Sequence, residues 1–238
     1  QLLAEPSEAG LRKHFDDMWS SFAEVMNDPL NSATIAQVAS KTETFIVMLK
    51  DTYNRFEELR TNLNQDIRLS VDQINNILRQ IADLNNKVRS SYIIQTEPND
   101  LLDERDKLMD RLNEIAGVTY RTGPNGHLEV YIGDQVVVHG DHVSPLTASA
   151  RPGTLDTYDL FVRSTKISVT GGHLGAIVNL RDTVIPKYLD RYDEMALMLT
   201  DKINLIHRSG FDQNGVISGI DFFKTMEASR TSLPNLFR

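Results

Sequence analysis

The sequence predicts an α+β fold, mainly α: a long-helix bundle carrying a small antiparallel β-rich insert. Three observations predict it. The 68 residues between Pro29 and Pro98 contain neither glycine nor proline, the two residues that most strongly punctuate a chain. Glycine then recurs from Gly117 to Gly175 with β-branched residues between, as in short strands joined by turns. From Gly175 to Gly210 glycine is absent again. The expected organisation is 1–117 as the first part of the bundle and 118–170 as the insert. Residues 171–209 would be a long helix completing the bundle, and 210–238 a turn-rich segment leading towards a truncated or distal part.

The first helix is expected from about Ser7, with Pro6-Ser7-Glu8 as its cap and Glu8 placed favourably for the helix dipole. Leu11, Phe15, Met18, Phe22 and Val25 follow at helical spacing, and Asn27-Asp28-Pro29 ends the helix. Trp19, the only tryptophan, reads as a core residue beside this stripe. The second helix is expected over about 31–90. Its apolar positions step by three and four from Ile35 through Phe45, Phe56, Leu63, Ile74 and Ile81 to Val88, close to a 3.5-residue repeat. Unbroken, it would be roughly 90 Å long at ~1.5 Å per residue. Asp66, Ser70 and Asn85 fall at or beside the seam, which points to several partner elements rather than a simple dimer zipper. A kink over 62–65 is the alternative.

The third helix would be capped by Asn99 or Asp100 and stopped by Gly117 in the left-handed conformation. Leu101, Leu102, Leu108, Met109, Leu112 and Ile115 supply its apolar face, and Asp103 stands four residues before Lys107. Strands are expected at 118–122 and 127–132 around Gly123-Pro124-Asn125-Gly126, then at 135–139, 157–162 and 166–170, with a loop at 149–154. The last helix would begin near Leu174. Ile177, Leu180, Val184, Tyr188, Tyr192, Met195, Leu199, Ile203 and Ile206 form its buried stripe, and Pro186 kinks or divides it. Gly210 to Gly215 then reads as a turn leading to Phe222-Phe223.

Composition excludes several function classes. With only 7% aromatic residues, the core must rest on aliphatic side chains. A net charge of −8 argues against a broad electrostatic grip on nucleic acid or anionic lipid. The absence of cysteine removes disulfides, thiol nucleophiles and Cys-ligated metals. No apolar run approaches the ~18 residues needed to span a bilayer. Gln1 as the first residue suggests a piece of a longer chain.

A search for catalytic chemistry finds little. His139 and His142 bracket Asp141, and His127 is expected on a neighbouring strand, but the spacing is no specific zinc signature. Asp212 and Asn214 before Gly215 resemble the start of a calcium loop that lacks its closing Glu. Gly171-Gly172-His173-Leu174-Gly175 lacks the Lys-Ser/Thr of a P-loop and reads as a strand-to-helix joint. Asp103-Glu104-Arg105-Asp106 reads as an ion-pair network, and no nucleophile elbow is present.

Several blocks together resemble the bacterial flagellar hook-associated protein 1 family. Asn99-Asp100-Leu101-Leu102-Asp103-Glu104-Arg105-Asp106 is similar to its NDLLDxRD signature. Gly171-Gly172-His173-Leu174-Gly175, Arg181-Asp182, Ile185-Pro186 and Tyr188-Leu189 resemble its GGxLG, RD and IPxY run. Ala196, Ile203-Asn204, His207, Gly210, Asp212, Gly215, Gly219 and Phe222-Phe223 resemble the tail that follows. Glu5-Pro6, Gly10-Leu11, Phe15, Trp19 and Pro29 form an N-terminal block, and Ile74-Asn75 and Ile81-Ala82-Asp83-Leu84-Asn85 match paired helix motifs. The chain departs from the family in having Ser32-Ala33-Thr34 where an arginine is common.

The resemblance implies a structural, non-catalytic subunit of the extracellular flagellum, exported through the flagellar secretion channel and joining hook to filament as a ring. Its implied partners are copies of itself, the hook protein, the next hook-associated protein, an export chaperone and the export apparatus, with no nucleic acid, membrane insertion, metal or cofactor. It also implies terminal axial segments and a distal domain outside this sequence. Structural roles are expected for Asn75, Asn85, Asp100, Leu102, Asp103, Arg105, Asp106, Gly172, Leu174, Gly175, Arg181, Asp182, Asn204, His207, Phe222 and Phe223. Arg105 is expected to pair with nearby carboxylates, and Arg181 with Asp182. The four polar residues Asn75, Asn85, Asn204 and His207 are expected to bond across an interface between the long and last helices. The rival readings are a metal-dependent surface enzyme using His127, His139, Asp141 and His142, and a flagellin-like or other hook-associated structural protein.

Overall fold

The computed structural model describes residues 10–153, 157–211, 215, 216 and 218–224. The helices are α1 (Leu11–Asn27), α2 (Ser32–Ile93), α3 (Asn99–Ala116), α4 (Gly172–Asn179) and α5 (Ile185–Arg208). Between α3 and α4 lie β1 (Thr119–Thr122), β2 (Leu128–Ile132), β3 (Gln135–His139), β4 (His142–Val143), β5 (Leu146–Ala150), β6 (Tyr158–Val162) and β7 (Thr165–Lys166). The fold class is that expected: α-rich with an antiparallel β insert. Two compact units emerge, one from Gln1–Glu58 with Pro186–Arg238 and one from Leu59–Ile185. No helix among the described residues is long and apolar enough to cross a membrane.

In the first unit, Met18, Phe45, Leu49 and Ala196 form the buried centre, with Leu11, Phe15, Phe22, Tyr192, Met195 and Leu199 packed against it. Helix α1 starts at Leu11 after an extended Gly10, later than Ser7. The expected cap residues Pro6, Ser7 and Glu8 lie outside the described residues. Trp19 is not a core residue: it is 58% exposed and lies stacked against Phe15, with Phe22 on its other side. One residue is about 100° of helical rotation, so with Met18 pointing inward its neighbour Trp19 can only cover the rim. On α5, Phe56 of α2 stacks on Tyr188 at 5.7 Å. Ile206, expected in the buried stripe, is exposed, whereas Asn204 is buried. Asn204 instead pairs with the backbone of Phe223 at the end of the helix.

The second unit is built on the later part of α2. Leu63, Ile67, Val71, Ile74, Leu78, Ile81, Asn85 and Val88 are buried at steps of three and four, and Ile77, Ala82 and Leu84 are buried beside them. This band is wider than a two-helix seam. Asp66 is exposed, so Ile67 takes the seam position, while Ser70 and Asn85 are buried. The helix is continuous through 62–65, where the alternative reading placed a kink.

Strands β1-β2-β3-β4 form one antiparallel sheet and β5-β6-β7 another. In β2, Leu128, Val130 and Ile132 are buried while Glu129 and Tyr131 share the opposite, half-buried face, the two-residue alternation of a one-sided sheet. The structure corrects the expected loop at 149–154. Ser149 and Ala150 belong to β5 and pair with Asp159 and Tyr158 of β6. Leu-Thr-Ala-Ser-Ala has little intrinsic strand preference, and pairing with β6 overrides it. Strand β4 was also unanticipated. The expected strand at 166–170 shrinks to Thr165–Lys166, followed by a single further bond from the Ile167 amide to the Leu160 carbonyl.

Two glycines make the α3–α4 junction possible. Gly117 ends α3 at φ +57° and Gly172 opens α4 at φ +65°. A Cβ on Gly172 would lie 2.6 Å from the Ala116 nitrogen, and one on Gly117 would lie 2.6 Å from Gly171 Cα. Neither collision can be relieved by a side chain, because the obstacle is backbone. Gly172→Ala is therefore expected to lower stability by about 2–4 kcal/mol, combining left-handed strain with overlap. Gly153 also has positive φ but nothing within 4 Å of its Cβ position, so Gly153→Ala should show only the strain, about 1–2 kcal/mol. Thermal unfolding of the two variants checks the difference.

Between α4 and α5 the helix widens into a π-helical turn at Leu180–Val184, in which the Ile185 amide bonds the Leu180 carbonyl. Pro186 has no N–H to give to the preceding turn. The expected division at this proline takes the form of this widening rather than a break, since Leu180 and Ile185 both keep right-handed helical angles.

Candidate functional site

The chemically distinctive residues are buried or half-buried amides and guanidinium groups that hold irregular backbone or polar side chains. An asparagine side chain carries one acceptor and two donors, so it can pair with a backbone residue as another strand would. Asn75 does this to the first residue of β5: its Nδ2 donates to the Leu146 carbonyl at 2.8 Å, and the Leu146 amide donates to Oδ1 at 2.9 Å. Asn204 does the same to Phe223, at 2.9 and 2.8 Å. His207 Nδ1 lies 2.7 Å from the Ile220 carbonyl, and Arg208 pairs with Asp221. Phe222 packs its ring on Phe22, His207 and Phe223. Asn204 is buried and His207 exposed. The expected turn residues Asp212 and Asn214 lie outside the described residues.

Asn85 is the centre of a larger network. Its Nδ2 donates to the carbonyls of Leu128 at 3.1 Å and Gly140 at 2.8 Å. Its Oδ1 accepts from Arg105 Nη1 at 3.0 Å, and the same Nη1 donates to the Gly126 carbonyl at 2.7 Å. One amide on α2 and one guanidinium on α3 thus grip the start of β2, the turn before it and the turn after β3.

Two expectations are corrected here. Among the described residues Arg105 takes no carboxylate partner and its Nε is unpaired; it is 4% exposed and bonded to neutral oxygens. Burial lowers its pKa, opposed by the nearby Asp106 charge. Asp106 itself faces solvent, as do Asp100 and Asp103, and Leu102 is half-buried, because the helical repeat lets only every third or fourth residue of the NDLLDERD block point inward. The four polar residues also do not bridge the long and last helices. Asn75 and Asn85 bind the β insert, and Asn204 and His207 bind the segment just after their own helix, because strand ends and turns are where unpaired carbonyls and amides lie.

Arg181 is 1% exposed. It holds Asp182 with two bonds, Nε to Oδ1 at 2.9 Å and Nη2 to Oδ2 at 2.8 Å, and gives Nη1 to Asn64 Oδ1 at 2.7 Å. Asp182 also receives Arg151 at 3.2 Å, and Arg151 bonds Asp159, which Lys166 meets from the other side at 2.8 Å. Burial pushes the Asp182 carboxyl up, but the hydrogen bonds and charges of Arg181 and Arg151 together outweigh it and hold it below the usual range. Leu174 and Gly175 are buried nearby in sequence on α4, and a Cβ on Gly175 would lie 2.5 Å from the Thr170 carbonyl carbon.

Of the histidines weighed as metal ligands, His127 and His139 come together with Glu129, whereas Asp141 and His142 stand outside that group. Asp141 lies instead 3.7 Å from Arg89 Nη2. Glu129 was missed, although His127-x-Glu129 opposite His139 is the same-face pattern of a hairpin.

Sequence reasoning also missed Asp193. It is 2% exposed on α5, and its Oδ1 has no hydrogen-bond partner among the described residues. Burial, with Asp190 adding repulsion, pushes its pKa up to about 6. The folded chain then binds this proton more readily than the unfolded chain, so stability falls as pH rises through the window from the ordinary carboxylate value to about 6. Asp193 is therefore expected to make the unfolding free energy of the wild-type chain higher near pH 5 than near pH 7, by about 1–2 kcal/mol. Asp193→Asn should flatten that slope; an unchanged slope would assign it to other groups.

The asparagine sites bind backbone, whereas the Arg181 network joins side chain to side chain. Residues 1–223 match the family described as the flagellar hook-associated protein FlgK helical domain. Flagellar hook-associated protein 1 of Escherichia coli K12 is 28% identical over 228 residues, covering 91% of this chain and 42% of that protein. Its counterpart in Bacillus subtilis 168 is 27% identical over 256 residues, covering 93% and 50%. The chain thus spans half or less of the length of these relatives. The solved structure of the flagellar hook junction protein FlgK from Burkholderia pseudomallei superposes with a TM-score of 0.75 at 23% identity, covering 87% of this chain and 39% of that one, a likeness of fold. The match over nearly the whole chain settles the family: this chain belongs to the FlgK helical-domain family of flagellar hook-associated proteins.

Proposed function

We propose that this chain is the helical core of a structural, non-catalytic subunit at the junction between flagellar hook and filament. The observation that carries the reading is the family match over residues 1–223. The architecture supports it: a 62-residue helix carries the α3 helix and a β insert held by buried and half-buried amides and guanidinium groups. Such contacts preserve shape under load and do no proton or group transfer. The subunit would assemble with copies of itself, between the hook protein and the next hook-associated protein. It would reach the cell exterior through the flagellar export apparatus with a chaperone, a route compatible with a cysteine-free chain. Deleting the gene is the direct test. The expected strain is non-motile, carries intact hooks and releases filament protein into the medium, and regains attached filaments when the full-length gene is restored. A deletion strain that swims with attached filaments would overturn the reading.

A further inference from the structure

We propose that His127, Glu129 and His139 form a binding site for a divalent transition-metal ion of the zinc type on the half-buried face of the four-stranded sheet. Strand alternation puts residues 127 and 129 on one face. The β2–β3 register sets His139 directly opposite Glu129. The result is three side chains, from β2, from β3 and from the residue just before β2, converging on one spot. His139 Nδ1 lies 2.8 Å from Glu129 Oε1, and His127 Nε2 lies 3.8 Å from the same oxygen. The ligand atoms all fall within 4.8 Å of one another. Ligands about 2.1 Å from a tetrahedral ion stand ~3.4 Å apart, so side-chain rotation alone reaches a coordinating arrangement.

The surroundings position these ligands. Tyr131 donates its hydroxyl to Glu129 Oε2 at 2.7 Å, leaving Oε1 to face the two imidazoles. Such a bond orients a ligating carboxylate. His127 lies against Gly140, where any Cβ would come within 2.8 Å of its ring; the missing side chain makes room for the imidazole. The Gly140 carbonyl is in turn held by Asn85, so the floor of the site is tied to α2. Two imidazoles and one carboxylate are the donor set that suits zinc and its neighbours over magnesium or calcium, which take oxygen. Side-chain exposures of 31%, 25% and 63% for His127, Glu129 and His139 leave a side open to solvent for a further ligand. The proposal is of binding alone, and no reaction is assigned to it.

Titrating the metal-free chain with Zn²⁺ by calorimetry, and with Co²⁺ by visible absorption, tests it. The expected result is one equivalent bound and the d–d bands of a low-coordinate cobalt site. His139→Ala and Glu129→Gln, both at surface-accessible positions, should weaken binding by at least about tenfold with an unchanged far-ultraviolet spectrum. His142→Ala, outside the cluster, should bind as the wild type does. Uptake of less than one equivalent by the wild-type chain, or equal affinity in the His127→Ala/His139→Ala double variant, would overturn the assignment. So would loss of binding in His142→Ala with none in Glu129→Gln.

Discussion

Arg181→Ala is expected to lower stability by about 3–5 kcal/mol near neutral pH, the cost of breaking one side of a buried ion pair. The substitution removes three hydrogen bonds at once. It strands the Oδ1 of Asn64, itself 4% exposed, and leaves Asp182 with Arg151 alone at 3.2 Å. The pH dependence distinguishes this mechanism from simple loss of packing. In the wild-type chain Asp182 is held below the usual carboxylate range, so its contribution is full above the unfolded value, about 3.9. That contribution is lost as pH falls through the depressed folded value. Without Arg181, burial dominates at Asp182 and the depression shrinks. The stability gap between Arg181→Ala and wild type should therefore narrow in acid. Arg181→Met retains much of the volume and should lose nearly as much at neutral pH, because the stranded carboxylate rather than a cavity is the main cost. Denaturant unfolding of the three proteins at neutral and acid pH checks both points. A near-normal midpoint for Arg181→Met would mean that packing, not the carboxylate, governs the site.

Asn85→Leu is expected to cost a similar amount, about 3–4 kcal/mol, since it leaves several buried polar groups unsatisfied. The carbonyls of Leu128 and Gly140 lose their donor, and Arg105 keeps only Gly126. Arg105→Met alone should cost less, because it also removes a buried charge that no carboxylate neutralises. The two residues share a hydrogen bond, so the double variant Asn85→Leu/Arg105→Met should cost less than the sum of the single losses. Strict additivity in that cycle would show that the contact carries no coupling. Amide hydrogen exchange in β2 and β3 should rise in Asn85→Leu while the later turns of α2 stay protected.

Much of this arrangement was legible in the residues. The long gap without glycine or proline located α2 to within three residues at each end. Gly123-Pro124-Asn125-Gly126 located the β1–β2 hairpin, and Gly117 the end of α3. The Arg181–Asp182 pair was likewise readable from adjacency. Trp19 and Ile206 were misplaced because a stripe at helical spacing does not say how wide the covered sector is. Strand β5 was overlooked because its partner, β6, supplies what Leu-Thr-Ala-Ser-Ala lacks.

By itself, the sequence determined the helices, the β1–β2 hairpin and the family. Helix and strand periodicities are properties of neighbouring residues, and the blocks around Asn99 and Gly171 are read without knowing any contact. Only the tertiary structure decided what the buried polar groups hold. Asn75 meets a residue 71 positions away, Asn85 meets residues 43 and 55 away, and Arg181 meets one 117 away. An amide will accept almost any free carbonyl or N–H, so its chemistry names no partner. Strand register and the close approach of backbones at Gly117 and Gly172 choose among them. The same physics placed Glu129 between two histidines: each residue is unremarkable in its own strand, and the antiparallel pairing of β2 with β3 makes them neighbours.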